Sequence, residues 1–200
     1  MQTQAKSLAN KWALKEWAIT VKMLAEGQHI LLLRKGGIME IKEGFKVGAP
    51  EFFLFPTYVH QNEDDLADQA RTDFKNIPPP PLDGFVPLDY YAEVVGSAKV
   101  DNLELLLKLK GQHILSQNAV EKRFHYKGDG LNVLALRIYK FAYGGFMVKN
   151  TPEYEGCKSW VELNNKLPAV GLEPVMPDAE FQAKLSLAKT AINLASPIYP

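Results

Sequence analysis

The stretch Leu131-Asn132-Val133-Leu134-Ala135-Leu136-Arg137-Ile138-Tyr139-Lys140-Phe141 limits what this chain can become. Side chains alternate across a strand, so Leu131, Val133, Ala135, Arg137 and Tyr139 share one face. Asn132, Leu134, Leu136, Ile138 and Lys140 share the other. Both faces are largely apolar, and a strand of that kind needs cover on each side. It predicts the central strand of a sheet, with Arg137 and Lys140 carried on it.

A second strand is predicted at Ile30–Leu33, in Gly27-Gln28-His29-Ile30-Leu31-Leu32-Leu33-Arg34-Lys35-Gly36-Gly37-Ile38. An apolar run rises out of one glycine, ends in two cations and stops at a glycine pair. Phe52-Phe53-Leu54-Phe55-Pro56-Thr57-Tyr58-Val59-His60-Gln61 repeats the idea, with an apolar strand opening into polar and aromatic groups. The chain reads as a scaffold that holds these two strand ends side by side.

The remaining elements follow from period and caps. Leu8, Trp12, Trp17, Val21 and Leu24 recur mostly three or four apart, which predicts an amphipathic helix over 7–26. Gly27 then ends it in the left-handed conformation. The competing reading is a strand over Trp17–Leu24. Residues 39–50 read as a short strand or loop. Asn62 caps a helix running to about Lys75, and Pro78–Pro81 form a stiff extended spacer. Tyr90–Val100 alternates as a strand, Asp101 or Asn102 caps a helix through Leu107, and Ser116 caps one through Phe124. Tyr126–Gly130 is a turn. Trp160 and Leu163 seal a core, and Asp178 caps a last helix with Phe181, Leu185, Ala188 and Ile192 as its apolar stripe. Together these predict one domain with its core over about 12–170 and a C-terminal helix at about 178–195 packed on it.

Charge matters here through its distribution. The chain is neutral overall, which argues against an indiscriminate polyanion binder. Residues 1–50 and 101–150 each carry 8 Lys/Arg against 4 Asp/Glu, while 51–100 carry 3 against 9 and 151–200 carry 4 against 6. If the Arg34/Lys35 and Arg137/Lys140 strands are neighbours, a neutral protein gains a basic face; ordinary mixed surface charge is the alternative. No apolar run approaches the ~20 residues of a membrane span, and the start has no signal-peptide core. Cys157 is the only cysteine. A cytoplasmic location with no membrane partner is expected.

Three motifs, Leu31-Leu32-Leu33-Arg34-Lys35-Gly36-Gly37-Ile38, Phe55-Pro56-Thr57-Tyr58-x-His60-Gln61 and Tyr154-x-Gly156-Cys157-Lys158-Ser159-Trp160-Val161-Glu162-Leu163, resemble one family over roughly residues 12–185. It is an uncharacterised bacterial domain of unknown function, common in cyanobacteria, and some members resemble partners of Mrr-type restriction endonucleases. That resemblance implies a restriction-system protein as a partner and supplies no catalytic residues. The order of elements is also similar to ASCH and EVE domains of the PUA-like fold. This implies an α+β fold, a small PUA-like β-barrel of mixed, mostly antiparallel strands with flanking helices, in a class that often binds RNA or modified bases.

The chemistry fits that expectation loosely. Arg34, Lys35, Gly36 and Gly37 can bind a phosphate through two cations and unshielded amides; a hairpin turn with solvated charges explains them as well. Thr57, Tyr58, His60 and Gln61 supply donors, acceptors and an aromatic face on which a base can stack, or they form a satisfied structural network. His29, His60, His113, His125 and Cys157 match no zinc template. Glu40-Ile41-Lys42 echoes a nuclease E-x-K but lacks its acidic partner, no phosphate-cradling glycine motif is present, and the glutamate-rich helix of Nudix hydrolases is missing. The expected protein is a nucleic-acid-binding module for RNA or modified DNA, with Arg34, Lys35, Gly36, Gly37, Thr57, Tyr58, His60, Gln61, Arg137 and Lys140 at its interface. No catalytic residue, metal or cofactor is expected. The alternatives are an enzyme with His60 in its site, acting on a nucleotide or small molecule, and an interaction adaptor using the proline run.

Overall fold

The computed structural model describes residues 8–36, 40–41, 44–45, 49–81, 84–156 and 158–195. The first half of the chain forms β1 (Ala9–Trp17), α1 (Ala18–Ala25), β2 (Leu31–Arg34), the two-residue strands β3 (Glu40–Ile41) and β4 (Gly44–Phe45), β5 (Glu51–Thr57) and α2 (Asp68–Phe74). Next come β6 (Phe85–Leu88), β7 (Tyr90–Val100), α3 (Leu103–Leu107), α4 (Gln117–His125) and β8 (Leu131–Phe141). The chain closes with β9 (Phe146–Lys149), β10 (Trp160–Pro168), β11 (Leu172–Pro174) and α5 (Asp178–Ala191).

Strand β8 is central, as its two apolar faces require. It pairs with β7 along its length on one edge, and with β2 and then β11 on the other. Every residue from 131 to 138 is buried. The main sheet runs β10-β1-β5-β7-β8-β11, with β2 added on β8. Only the β1–β5 pair is parallel; the other ladders are antiparallel, so the fold is mixed α+β. The expected barrel is corrected, because among the described residues no ladder joins the two ends of this sheet. Closure would have to pair β10 with β11, and β11 is three residues long and ends in Pro174, which has no N–H to donate. Beyond Leu163, β10 is an exposed Asn164-Asn165-Lys166 stretch, a polar edge that discourages further pairing.

The N-terminal reading is also corrected. The helix expected over 7–26 exists only at 18–25, and residues 9–17 form strand β1 between β10 and β5. Trp12 and Leu14 pack in the cluster of Phe52 and Leu54, while Ala13 packs with Phe53 and Tyr91. Alternate residues therefore fill two cores, and that packing outweighs the helical propensity of Ala, Leu and Lys. The alternative strand at Trp17–Leu24 does not form. Helix α1 ends as expected: Gly27 has φ +69°, its N–H donates to Leu24 O, and the Gln28 N–H donates to Met23 O.

Two further adjustments are local. Asn62 does cap, but it caps a 3-10 turn at Glu63–Asp65; Leu66 then bridges to Leu115 before α2 starts at Asp68. Asp178 is the first residue of α5 and not its cap, and its carboxylate accepts from Arg137. Phe181, Leu185, Ala188 and Ile192 are buried, so α5 packs where its stripe predicts. Among the described residues no helix is long and apolar enough to cross a membrane.

His29 and His113 are both buried beside this core. Burial, with Lys184 near His29 and with His29 and Arg123 near His113, holds each ring's pKa down to about 4. A pKa lowered below the unfolded value of about 6.5 stabilises the fold above pH 6.5, and that stability is lost as pH falls through 4. The unfolding free energy from urea titrations is therefore expected to be level above about pH 7.5 and to drop steadily toward pH 4, by roughly several kcal/mol for the two rings together. A value unchanged between pH 6.5 and 4.5 would contradict this.

Candidate functional site

Parallel pairing brings the carboxyl ends of β1 and β5 to the same level, with Trp17 opposite Thr57. There the two chains diverge, β1 into α1 and β5 into the Tyr58–Asn62 loop. Divergence at the carboxyl ends of parallel strands opens a crevice. The end of β2 reaches the same place, and the three ends surround a cavity of about 780 Å³. Leu31–Leu33, Phe55 and Pro56 give it an apolar lining, and Pro80, Pro81, Phe85 and Tyr154 also line it. Two residues of the proline run, Pro80 and Pro81, are thus part of a cleft wall. Five cations reach the cavity, Lys15, Arg34, Lys35, Arg123 and Lys158, against the carboxylates Glu16 and Glu155.

These cations are not equivalent. Arg34 Nη1 donates to the Glu16 carboxylate and, at 3.3 Å, to the Lys15 carbonyl, while its Nε reaches the Gly36 carbonyl at 3.4 Å. Part of its charge is therefore matched. Lys35 is committed further: its ammonium donates to the carbonyls of Phe124 at 2.8 Å, Gly130 at 2.9 Å and Gly128. It caps the C-terminal end of α4, where the helix dipole favours a cation, so its main part is structural. Arg123 lies over the Trp17 ring at 5.1 Å and within 3.8 Å of Asp65. Burial lowers its pKa, yet a guanidinium keeps its charge at neutral pH. Lys15 Nζ sits 3.3 Å from the Gly156 carbonyl and 5.9 Å from the Phe55 ring centre.

The polar loop divides in the same way. Thr57 lines the cleft, but its hydroxyl donates to the Glu16 carbonyl at 3.1 Å and ties β5 to β1. Gln61 accepts from the Ile19 N–H at 3.1 Å and donates to the Tyr58 carbonyl at 3.3 Å, so it caps α1 from outside. Tyr58 and His60 face the cavity. Burial and the nearby Asp89 raise the Tyr58 pKa, which keeps a neutral O–H available as a donor. His60 is exposed, has φ +60°, and makes no hydrogen bond or ion pair among the described residues. Gly36 is exposed with nothing within 4 Å of where a Cβ would stand, so a ligand can approach it on that side, while its carbonyl accepts from Arg34 Nε. Gly37 lies outside the described residues.

Arg137 and Lys140 do not join this site. β2 runs antiparallel to β8, so Arg34 stands opposite Asn132, at the other end of β8. Five residues of strand, roughly 17 Å, separate Asn132 from Arg137. Arg137 is buried against Phe181 at 4.5 Å and donates to the Met176 carbonyl at 2.9 Å and to Asp178. Lys140 pairs with Glu173 at 3.5 Å. The basic face expected from two neighbouring strand ends is replaced by a cleft whose other cations come from β1, α4 and the segment before β10. Lys15 and Glu16 did have a signal: Trp12-Ala13-Leu14-Lys15-Glu16 repeats the apolar-then-charged pattern of Leu31–Lys35. Arg123, Phe85 and Lys158 had none, since only tertiary folding brings them in. Among the described residues no group of three or more His, Cys, Asp or Glu could hold a metal ion, and Cys157 lies outside them.

Fold and site together define a mixed α+β domain with an open-ended sheet and a basic, ligand-sized cleft. The chain belongs to the family described as Domain of unknown function (DUF1802), whose model matches residues 13–186. No curated protein matches it. Among solved structures it is similar to the ASCH protein from Zymomonas mobilis, at 10% identity over 88% of this chain and 94% of that one, with a TM-score of 0.46. Two single-substitution variants of that protein give 11% and 12% identity, again over 88% of this chain and over 96% and 94% of theirs, with TM-scores of 0.45 and 0.42. A likeness this loose carries no argument about ligand or activity.

The division between structural and ligand-facing cations is measurable. Lys35→Ala leaves three carbonyls of the 124–130 segment without their donor and is expected to cost about 1–3 kcal/mol of stability. Lys158→Ala, on an exposed residue, is expected to stay within about 0.5 kcal/mol. Denaturant midpoints of the two variants check this, and equal midpoints would contradict it.

Proposed function

We propose that the cleft binds single-stranded nucleic acid, taking one nucleotide unit into the cavity with its phosphate at the basic rim. The observation that supports this most is the combination of five cations with an apolar and aromatic interior in one cavity. About 780 Å³ lies within the range that encloses a ligand of nucleotide to dinucleotide size. A duplex has no splayed base to offer such a concave site; an unpaired base does. Tyr58 at the mouth supplies a stacking face and a hydroxyl donor, His60 an edge that can read a base, and Gly36 a bare amide for a phosphate oxygen. Lys15 and Lys158 are assigned the phosphate attraction from their place in the cavity lining; Lys15 Nζ also donates to the Gly156 carbonyl, and Lys35 holds three carbonyls.

An enzyme using His60 is less favoured by the geometry. A general base or nucleophile system needs a second group within hydrogen-bond reach to orient it, and His60 has none among the described residues.

The test is binding of labelled single-stranded DNA and RNA by anisotropy across a salt series. Wild-type affinity is expected to fall with salt with a slope corresponding to about three phosphate contacts. Lys15→Ala combined with Lys158→Ala is expected to weaken binding roughly tenfold or more and to flatten the slope by about 1.5. Binding that is independent of salt, or unaffected in the double variant, would refute the assignment.

A further inference from the structure

A second hollow adjoins the cleft. It encloses about 490 Å³, shares Lys35 and Gly36 with the first cavity, and is lined by Lys99, Tyr126, Lys127, Asp129 and Asn132. Nothing in the function proposed for the first cavity uses it.

Three observations mark it as built to receive something. Asn132 is 3% exposed, yet its Oδ1 has no hydrogen-bond partner among the described residues. A buried carbonyl left unsatisfied is costly, so one that lines a hollow is best explained by a donor arriving from outside. The second observation is register. Asn132 stands opposite Arg34 on β2 and opposite Lys99 on β7. Directly opposed residues in a sheet project from the same face. Arg34, Asn132 and Lys99 therefore form one cross-strand row about two strand spacings, or ~10 Å, from end to end. One end of that row lies in the first cavity and the other in the second. The third observation is composition. Lys99 and Lys127 line the hollow with one carboxylate, Asp129, which His125 Nδ1 meets at 2.9 Å, while Lys35 is held by its three carbonyls. Tyr126 beside them is 57% exposed, with the Lys127 ammonium 5.1 Å from its ring centre.

We infer that this hollow is a second nucleotide subsite, so that the ligand is an oligonucleotide of at least two units whose backbone crosses the ridge at Gly36. The inference rests on the reading of the first cavity as a nucleotide site. The second base stacks on Tyr126, the phosphate between the units lies toward Lys99 and Lys127, and a hydroxyl or amino group of the second unit donates to Asn132 Oδ1. Lys35 serves this arrangement indirectly: by holding the carbonyls of Gly128 and Gly130 it fixes the wall of the second hollow against the end of β2.

The experiment compares adenosine 5′-monophosphate with the adenosine dinucleotide and hexanucleotide, in ribo and deoxy forms, by calorimetry on the full chain. Wild type, Tyr126→Ala, and Lys99→Gln combined with Lys127→Gln are titrated in parallel. All three positions are exposed, so these variants are expected to fold, which circular dichroism confirms. In wild type the dinucleotide is expected to bind at least tenfold more tightly than the mononucleotide. In both variants that gain is expected to shrink to threefold or less, with mononucleotide affinity unchanged. Equal affinities for mono- and dinucleotide in wild type, or a gain that survives in both variants, would overturn the second subsite while leaving the first standing. If neither the mononucleotide nor the oligonucleotides bind, both readings fall.

Discussion

The parallel pairing of β1 with β5 is the constraint on which the rest of the site depends. Parallel neighbours cannot be joined by a tight turn; the chain must cross over, and between β1 and β5 lie α1, β2 and the short paired strands β3 and β4. Because both strands run the same way, both carboxyl ends arrive together, and the groups that follow them are delivered to one place. Every local tie then reinforces that place. Thr57 bonds back to Glu16, Gln61 caps the helix that leaves β1, and Arg34 joins the end of β2 to Glu16. The cleft is a by-product of this junction.

Charge in this protein has two distinct uses. Arg137 and Lys35 satisfy internal oxygens, one at the start of α5 and the other at the end of α4. Cations engaged in this way hold elements in place and offer little to a ligand, because moving them would strand the carbonyls they serve. Lys15, Arg123 and Lys158 instead reach the rim of a cavity with an apolar lining. The acidic quarter of the chain also takes part: Asp65 sits by Arg123 and Asp89 lies near Tyr58. A neutral chain thus acquires a local basic site by partitioning its charges, without any excess overall.

How much of this was legible in the sequence varied with the physics involved. Strands β7 and β8 were legible to the residue, because two-faced apolar alternation and a bounding turn leave little choice. Asn102, Ser116 and Gly27 marked helix ends because capping is a local interaction. Strand β1 was not legible, since Ala, Leu, Lys and Glu favour a helix locally and only the facing cores of Phe52, Phe53 and Tyr91 decide otherwise. Of the expected interface, Arg34, Lys35, Gly36, Thr57, Tyr58 and His60 do line one cavity. Gln61, Arg137 and Lys140 do not: Gln61 turns to the first N–H groups of α1, and register on β8 carries Arg137 and Lys140 away from Arg34. Lys15, Arg123 and Lys158 come from remote segments, and no local pattern announces a contact that only the fold creates.

The central claim is that a nucleic-acid strand occupies the junction where β1, β2 and β5 end. Backbone amide shifts of isotopically labelled protein, followed by NMR while a short single-stranded oligonucleotide is added, address it most directly. The account predicts that the perturbed amides cluster at residues 15–17, 34–36 and 57–60 and around Arg123. Perturbations confined to β11 or to α5, or none at saturating oligonucleotide, would contradict it.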